Sequence, residues 1–302
     1  MSDYVEACAA MRLAFGERVL MEEPLARHSS ARIGGPADGF FAAHTVDDLR
    51  EAALIMWEYD APLFVVGGGS NVVFSDDGVR GLVVHNRTSG LSFEGTQVLA
   101  ESGVSAVSLA RRAISRGLAG FEWAAGLPGT IGGAVVGNAG AHGGDMSQSV
   151  VWVDAVTPDG DVRLTNEDLA FEYRSSILKR QPGRVIILRV LLQLAEGDTA
   201  SLEARAEEFR AYRRRTQPQG ATIGSMFKNP PGDYAGRLIE AAGLKGARVG
   251  GAQISEVHGN FFINTGGATA SDVKALVELA RREVLEQFGV SLELEVELVG
   301  EW

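Results

Sequence analysis

The residues whose types and spacing could do chemistry are concentrated in two glycine-rich segments. The first, VVGGGSNVVF over 65–74, follows the apolar run PLFVV at 62–66, which is typical of a buried strand. Backbone N–H groups without neighbouring side chains can surround a phosphate, so residues 67–71 are consistent with diphosphate binding. The segment is not the dinucleotide fingerprint GxGxxG, because Val72 stands where the third glycine belongs. A simple tight glycine turn explains it equally well.

The second glycine-rich segment, GLPGTIGGAVVGNAGAHGG, covers residues 126–144. It belongs to an uncharged run over 123–144 that is long enough to cross a bilayer, but eight glycines, Pro128 and Asn138 argue against a membrane helix. So many glycines would interrupt an apolar core, and glycines at this density usually let a ligand approach the backbone. We therefore interpret this segment as a glycine-rich ligand-binding loop.

Regular elements flank both segments and must position them. Thr45 and Asp48 form a capping-box pattern ahead of a helix predicted over 46–58, and the strand at 62–66 follows it. A helix-like pattern around 104–116 leads into the second segment. The first segment is therefore expected at the end of a strand, and the second is expected after a helix.

The remaining chain alternates between strand and helix patterns. The predicted elements are strands at 150–156 and 184–194, a helix over 201–215 and a helix over 270–288. The tail SLELEVELV over 291–299 alternates strictly, which predicts a strand with one face on a core. Its core face comprises Leu292, Leu294, Val296 and Leu298. Its other face comprises Glu293, Glu295 and Glu297.

The composition argues against several classes of protein. The 302 residues include 28 Lys and Arg against 39 Asp and Glu, and the net charge of −11 argues against binding a nucleic-acid backbone. Cys8 is the only cysteine, so the chain has neither an internal disulfide nor a cysteine metal cluster, and no metal site is expected. Acids at Asp3 and Glu6, where a signal peptide would be basic, predict a cytoplasmic protein.

Seven blocks of the sequence occur in a distinctive order over nearly the whole chain. The blocks are IGGPAD (33–38), VVGGGSNVVF (65–74), GLPGTIGGAVVGNAGAHGG (126–144), FEYRSSIL (171–178), GSMFKNP (224–230), AGRLIEAAGLKG to INTG (235–266) and LELEVELVG (292–300). Together they resemble the UDP-N-acetylenolpyruvoylglucosamine reductase family. Each block is short, so the specificity of the resemblance lies in their order and spacing.

The resemblance implies an α+β fold, with a two-part FAD-binding region of the vanillyl-alcohol-oxidase/PCMH type followed by a smaller α/β substrate-binding domain. The FAD-binding parts are expected at 1–83 and 84–208, and the substrate-binding domain at 209–302. The implied cofactor is FAD, with NADPH as co-substrate. The implied reaction is a ping-pong reduction of UDP-N-acetylglucosamine enolpyruvate to UDP-N-acetylmuramate in peptidoglycan synthesis. A monomer without membrane or nucleic-acid partners is expected.

The resemblance also assigns catalytic roles to three residues that their own spacing does not single out. It places Arg174 at the active site with Tyr173 beside it, lets Ser225 supply a proton to the substrate, and selects Glu295 from the three tail glutamates. From residue type alone, Arg174 would be a surface charge and Ser225 an ordinary turn residue.

An anionic substrate diphosphate on an acidic protein needs local cations. The resemblance puts Lys228 and Asn229 in a substrate-facing turn, and Arg214 belongs to an arginine group at 210–215. A helix C-terminus, where the macrodipole favours positive charge, explains that arginine group equally well. The residues expected to bind FAD are Val66, Gly67, Gly68, Gly69, Ser70, Asn71, Gly126, Pro128, Gly129, Gly132, Gly133, Asn138 and Gly140.

The short connections at 194–202 and 230–236 resemble a second subtype of the family, which lacks an inserted tyrosine-bearing loop. This chain departs from the family pattern at Leu294, usually a proline, at Ala31, commonly an aromatic residue, and at His142, often a tyrosine. Two other functions compete: a flavin oxidase acting on sugars or lactones, and a non-catalytic nucleotide-sugar-binding protein. The serine, arginine and glutamate blocks argue against both.

Overall fold

The computed structural model describes residues 2–181 and 184–302, which form two compact units. The first unit comprises Met1–Met21, Gly39–Gly68 and Gly81–Ala211, and the second comprises Glu22–Asp38, Gly69–Arg80 and Tyr212–Trp302.

The helices of the described residues are α1 (Ser2–Phe15), α2 (Val46–Glu58), α3 (Ala106–Ile114), α4 (Ile131–Val136), α5 (Asn166–Leu169), α6 (Ile177–Arg180), α7 (Thr199–Thr216), α8 (Ala235–Ala241) and α9 (Ala270–Phe288). The strands are β1 (Val19–Pro24), β2 (Pro36–Ala43), β3 (Leu63–Val66), β4 (Val72–Phe74), β5 (Val79–Asn86), β6 (Leu91–Glu94), β7 (Gln97–Glu101), β8 (Leu118–Ala119), β9 (Gly140–Ala141), β10 (Gly144–Asp145), β11 (Val150–Thr157), β12 (Gly160–Thr165), β13 (Ile186–Gln193), β14 (Ala195–Glu196), β15 (Thr222–Ser225), β16 (Arg248–Val249), β17 (Ala252–Ile254), β18 (Phe261–Asn264) and β19 (Glu297–Val299).

A four-stranded sheet in the order β1-β2-β5-β3 leads to the first glycine-rich segment. The predicted capping box is confirmed, because Thr45 and Asp48 bond reciprocally and α2 begins at the next residue after Thr45. Leu49 and Met56 on its apolar face are fully buried in a core that includes Met11 of α1. The predicted strand is confirmed as β3, which pairs in parallel with β5 and ends where the glycines begin.

A five-stranded antiparallel sheet in the order β12-β11-β13-β7-β6 lies in the first unit. The predicted strands at 150–156 and 184–194 are confirmed as β11 and β13. The second glycine-rich segment is not a loop throughout, because Ile131 and Val135 supply a buried apolar face and six residues form α4. Among the described residues, no helix is long and apolar enough to cross a membrane.

The second unit is built on a four-stranded sheet in the order β15-β18-β17-β16, with α8 and α9 contributing to its core. The prediction of α9 over 270–288 is confirmed, and Gly289 ends the helix at a φ of +69°. The carboxylate of Asp76 accepts from the amides of Ala270 and Ser271 at 2.7 and 2.8 Å. Burial alone would raise the pKa of Asp76, but the hydrogen bonds from Ser271 and Ala270 lower it.

The C-terminal tail is the element for which the predicted regular strand is wrong. Only β19 is a strand, pairing in parallel with β4, and Leu294 makes an isolated bridge to Phe227. Leu292 and Val296 are buried, but Leu294 and Leu298 are only half-buried. The alternation breaks because the backbone before β19 bonds irregularly to the residues after β15 rather than to one continuous partner strand.

Candidate active site

The two glycine-rich segments meet in the first unit. A Cβ on Gly67 would overlap the side chain of Thr130, and a Cβ on Gly68 would lie 3.2 Å from the Cα of Gly129. Only a residue without a side chain allows so close an approach. The first segment is therefore more than a tight turn, because its glycines let it pack on the second segment.

Backbone hydrogen bonds fix the second segment at this contact. The amide of Ile131 donates to the carbonyl of Val104 at 2.9 Å, and the amide of Gly132 donates to that of Ser102 at 2.8 Å. The hydroxyl of Thr130 caps α4 by accepting from the third residue of the helix. The start of the second segment is thus held by the chain between β7 and α3.

The paired segments fit the diphosphate of FAD, which backbone N–H groups in glycine-rich turns can bind. Gly68 and Gly133 are both exposed, so a ligand can reach the backbone of each segment. The predicted FAD residues of the first unit are Val66, Gly67, Gly68, Gly126, Pro128, Gly129, Gly132, Gly133, Asn138 and Gly140. The predicted FAD residues of the second unit are Gly69, Ser70 and Asn71.

Arg174 lies at the tip of a two-residue turn between Glu172 and Ser175. These two residues exchange backbone hydrogen bonds of 2.9 and 3.1 Å across the turn. Arg174 has a φ of +54°. That conformation costs a residue with a side chain about 1–2 kcal/mol. Its guanidinium carbon lies 5.8 Å from the ring centre of Tyr173, which is 57% exposed. Arg174 is half-buried, and the structure around the turn must maintain this conformation.

Arg174→Gly is expected to be more stable than Arg174→Ala. Both variants lose the guanidinium, but only glycine adopts a positive φ without steric cost, so the glycine variant should gain about 1 kcal/mol in the free energy of unfolding. Urea unfolding of both variants measures the difference. The same pair of substitutions at Arg163, inside β12, should give the usual opposite order. Lower stability of the glycine variant at both positions would contradict the strained conformation.

Ser225 ends β15, and its surroundings hold the backbone firmly. It pairs with Phe261 across the sheet, after an irregularity in register that follows Thr222. The buried side chain of Asn260 accepts from the amide of Phe227 at 2.9 Å and donates to its carbonyl at 2.7 Å. Asn260 therefore bonds to both backbone groups of Phe227, two residues after Ser225, as a neighbouring strand would.

Glu295 lies on a segment adjacent to that of Ser225. Its amide donates to the carbonyl of Met226, the residue after Ser225, at 2.9 Å. Its carbonyl accepts from the side chain of Asn71 at 3.1 Å, and the carbonyl of Asn71 accepts from the amide of Glu297 at 3.0 Å. The structure thus brings Ser225, Glu295 and Asn71 onto neighbouring segments of the second unit, and Asn71 fixes the backbone of Glu295.

The predicted substrate contacts Lys228 and Asn229 have protein partners. The ammonium of Lys228 forms an ion pair with Glu293, whose carbonyl also accepts from the Lys228 amide at 2.8 Å. The side-chain oxygen of Asn229 accepts from the amide of Ala235 at 3.1 Å, at the start of α8. Both side chains therefore support the turn that follows Ser225, and their contacts with substrate stay predictions.

The arginine group at the end of α7 does not act as one cationic patch. Arg210 forms ion pairs with Glu203 and Glu207 of its own helix. Arg214 is exposed in the last turn of α7, where positive charge interacts favourably with the helix dipole. The helix-end explanation applies to Arg213, Arg214 and Arg215, and substrate binding by Arg214 stays a prediction.

Asn260 is a site-positioning residue that the sequence analysis missed. Its amide partner Phe227 lies 33 residues earlier in the chain, and no spacing rule relates the two positions. The neighbouring His258 ring lies 4.9 Å from that of Phe261. Burial, followed by the charge of Lys245, lowers the pKa of His258, which favours the neutral ring.

Two family models match the chain, one in each half. The model described as FAD binding domain matches residues 37–166, and that described as UDP-N-acetylenolpyruvoylglucosamine reductase, C-terminal domain, matches residues 217–299. The first match contains both glycine-rich segments. It confirms the FAD-binding region that the resemblance implies, and the sheets and helices of the structure confirm the α+β class.

Individual relatives agree with these models. The chain is 45% identical to UDP-N-acetylenolpyruvoylglucosamine reductase of Rubrobacter xylanophilus, covering 93% of this chain and 95% of that protein. It is 42% identical to the reductase of the same name from Bacillus subtilis, with 94% of each covered. The crystal structure of the Thermus caldophilus enzyme superposes with a TM-score of 0.80 at 36% identity, over 93% of this chain and 98% of that one. With this identity over nearly its full length, the chain belongs to the UDP-N-acetylenolpyruvoylglucosamine reductase family.

Proposed function

We propose that this protein reduces UDP-N-acetylglucosamine enolpyruvate to UDP-N-acetylmuramate with NADPH and FAD, as a step of peptidoglycan synthesis. The observation that carries the proposal is the Arg174 turn. Arg174 is kept in a strained conformation, and the hydroxyl of nearby Ser176 donates to the carbonyl of Val136 in the second glycine-rich segment at 2.7 Å. The turn that carries Arg174 is therefore attached to a segment that lies within the matched FAD binding domain.

The chemistry that bound FAD supplies is hydride transfer, from NADPH to the flavin and from flavin N5 to C3 of the enolpyruvyl group. Residues 65–74 and 126–144 would hold it through their backbone N–H groups. One site serves the two substrates in turn, so the reaction separates into two half-reactions.

Arg174 stabilises negative charge on the substrate. Addition of hydride at C3 moves charge onto the carboxylate conjugated with that carbon, and a fixed cation at the carboxylate lowers the barrier. Because the turn and its attachment to α4 fix the backbone of Arg174, little reorganisation is needed when the charge develops. Glu295 is also proposed as a catalytic residue.

Ser225 donates the proton that C2 needs after hydride transfer. A hydroxyl can act as an acid only where its position is fixed and its surroundings assist it. The sheet pairing with Phe261 and the clamp by Asn260 supply the fixed position. The carbonyl of Met226, next in the chain, binds the amide of Glu295, which supports a joint role for Ser225 and Glu295.

The substrate carries an anionic diphosphate. Lys228 and Arg214 are the proposed cations for it, and Tyr173 and Asn229 the proposed neutral contacts. Binding at Lys228 would compete with its ion pair to Glu293, an exposed carboxylate that solvent can stabilise after the exchange.

We propose the domain bounds and the subtype that the resemblance to the family implies. FAD-binding parts are assigned to 1–83 and 84–208 and the substrate-binding domain to 209–302. The short connections at 194–202 and 230–236 support the second subtype, without a tyrosine-bearing loop. We also propose a cytoplasmic monomer without a membrane partner, and the net charge of −11 supports the absence of a nucleic-acid partner.

The purified protein is expected to be yellow, with FAD that acid releases completely, because backbone amides rather than a covalent bond would hold the cofactor. Absorption spectra record the flavin, its bleaching by NADPH without oxygen, and its recovery when the enolpyruvyl sugar nucleotide is added. A colourless protein would favour a nucleotide-sugar-binding function. Bleaching by a sugar alone, with recovery in oxygen, would favour an oxidase. Flavin left on the acid-precipitated chain would contradict non-covalent binding.

A further inference from the structure

We infer that Asn138 is a positioning residue whose side-chain amide holds the Arg174 turn on the second glycine-rich segment. The inference rests on the proposed function of Arg174. It differs from the expectation that Asn138 contacts FAD, because the residue would act on the reaction through Arg174.

The carboxamide of Asn138 is engaged at both ends. Its Nδ2 donates to the carbonyl of Glu172 at 2.9 Å, and its Oδ1 accepts from the amide of Ser147 at 3.1 Å. Only 6% of Asn138 is exposed, so water cannot easily replace these partners. The two bonds also fix which end of the amide faces Glu172, because a backbone carbonyl can bond only to the NH₂ group.

The bond from Asn138 reaches the base of the Arg174 turn. Glu172 also accepts from the amide of Ser175, so its carbonyl has one partner inside the turn and one outside it. On the other side of the tip, Ser176 donates to the carbonyl of Val136. The turn is thus attached on both sides to residues at the end of α4.

Loss of one of these two hydrogen bonds should let Arg174, at the tip of the turn, move. A turn that holds Arg174 at a φ of +54° has no conformational preference of its own for that state, so its surroundings must maintain it. The side-chain bonds of Asn138 and Ser176 both tie this turn to the second segment. Asn138 itself has a φ of +40°, a region that asparagine adopts more readily than most residues.

Asn138→Asp tests the inference in the full-length protein with FAD bound. Aspartate tolerates the same backbone conformation and can still accept from Ser147, but its carboxylate cannot donate to Glu172. We expect the limiting rate of flavin reoxidation by the enolpyruvyl sugar nucleotide to fall about tenfold or more, the scale of an ångström-sized misplacement. The apparent substrate affinity, the flavin spectrum and the rate of reduction by NADPH should stay as in the parent protein.

A double-mutant cycle separates action through Arg174 from a general loss of structure. In an Arg174→Ala background, Asn138→Asp should slow reoxidation no further. Asn166→Asp is the matched control, because the Asn166 amide donates to the carbonyls of Ser147 and Val150 and not to the turn. Asn166→Asp should leave the ratio between the rates of the two half-reactions unchanged. If Asn138→Asp fails to fold, Asn138→Gly keeps the positive φ while removing both side-chain bonds.

Other results with these variants would contradict the proposed role of Asn138. Loss of FAD, or equal slowing of both half-reactions by Asn138→Asp, returns the residue to cofactor binding. An additive effect in the Arg174→Ala background excludes action through Arg174. If Arg174→Ala itself slows both half-reactions equally, the proposed function of Arg174 fails first, and the inference fails with it.

Discussion

Ser225→Ala is expected to slow reoxidation of the reduced flavin by UDP-N-acetylglucosamine enolpyruvate by about 10² or more, the scale for loss of a positioned proton donor. Reduction of the flavin by NADPH and FAD binding should be nearly unchanged, because that half-reaction needs no proton at C2. Ser225→Cys should retain more activity than Ser225→Ala, since the thiol can still donate. Stopped-flow absorbance measures the two half-reactions separately.

The control for a lost hydroxyl is Ser255→Ala. Ser255 lies in the second unit like Ser225, and it is buried there, where its oxygen accepts from the amides of Val257 and His258. Its loss should reduce stability without changing the ratio of the half-reactions. Reoxidation of Ser225→Ala at the parental rate would make the serine a turn residue at the end of β15, and another group would have to hold the proton.

Arg174→Ala is expected to slow substrate reduction far more than flavin reduction by NADPH. Only the substrate half-reaction develops charge on an enolpyruvyl carboxylate, and removing one such stabilising donor costs about 10²–10³ in rate. Arg174→Lys should recover part of the loss, because lysine keeps the charge but lacks the planar pair of donors. Single-turnover reoxidation at saturating substrate measures the effect.

Arg163→Ala is the matched control for loss of a positive charge. Arg163 lies in the same unit, where it pairs with Asp154 and stacks over Trp152. This variant should leave both half-reactions unchanged. If Arg174→Ala slowed both half-reactions equally, the arginine would be structural, and the strained turn would serve folding rather than transition-state stabilisation.

Local patterns in the sequence were sufficient for helices α2, α3, α7 and α9. The capping box of Thr45 and Asp48 marks the start of α2, and apolar residues at helical spacing followed by Gly289 mark the whole of α9. These signals involve residues three or four positions apart, whose hydrogen bonds form within one element. The same reasoning failed for the tail at 291–299, because a strand also needs a continuous partner, and only Glu297–Val299 has one.

The sequence by itself determined helices α2, α3, α7 and α9 and strands β3, β11 and β13, and it predicted a ligand-binding role for the second glycine-rich segment. Only the tertiary structure decided that Gly67 packs against Thr130, that Asn260 clamps Phe227 and that Asn71 fixes Glu295. It also gave Asn138 its bond to the Arg174 turn. The physical reason is range: each of these contacts joins residues far apart in the chain, and a side chain's own neighbours in sequence carry no information about a partner that only folding brings within hydrogen-bonding distance.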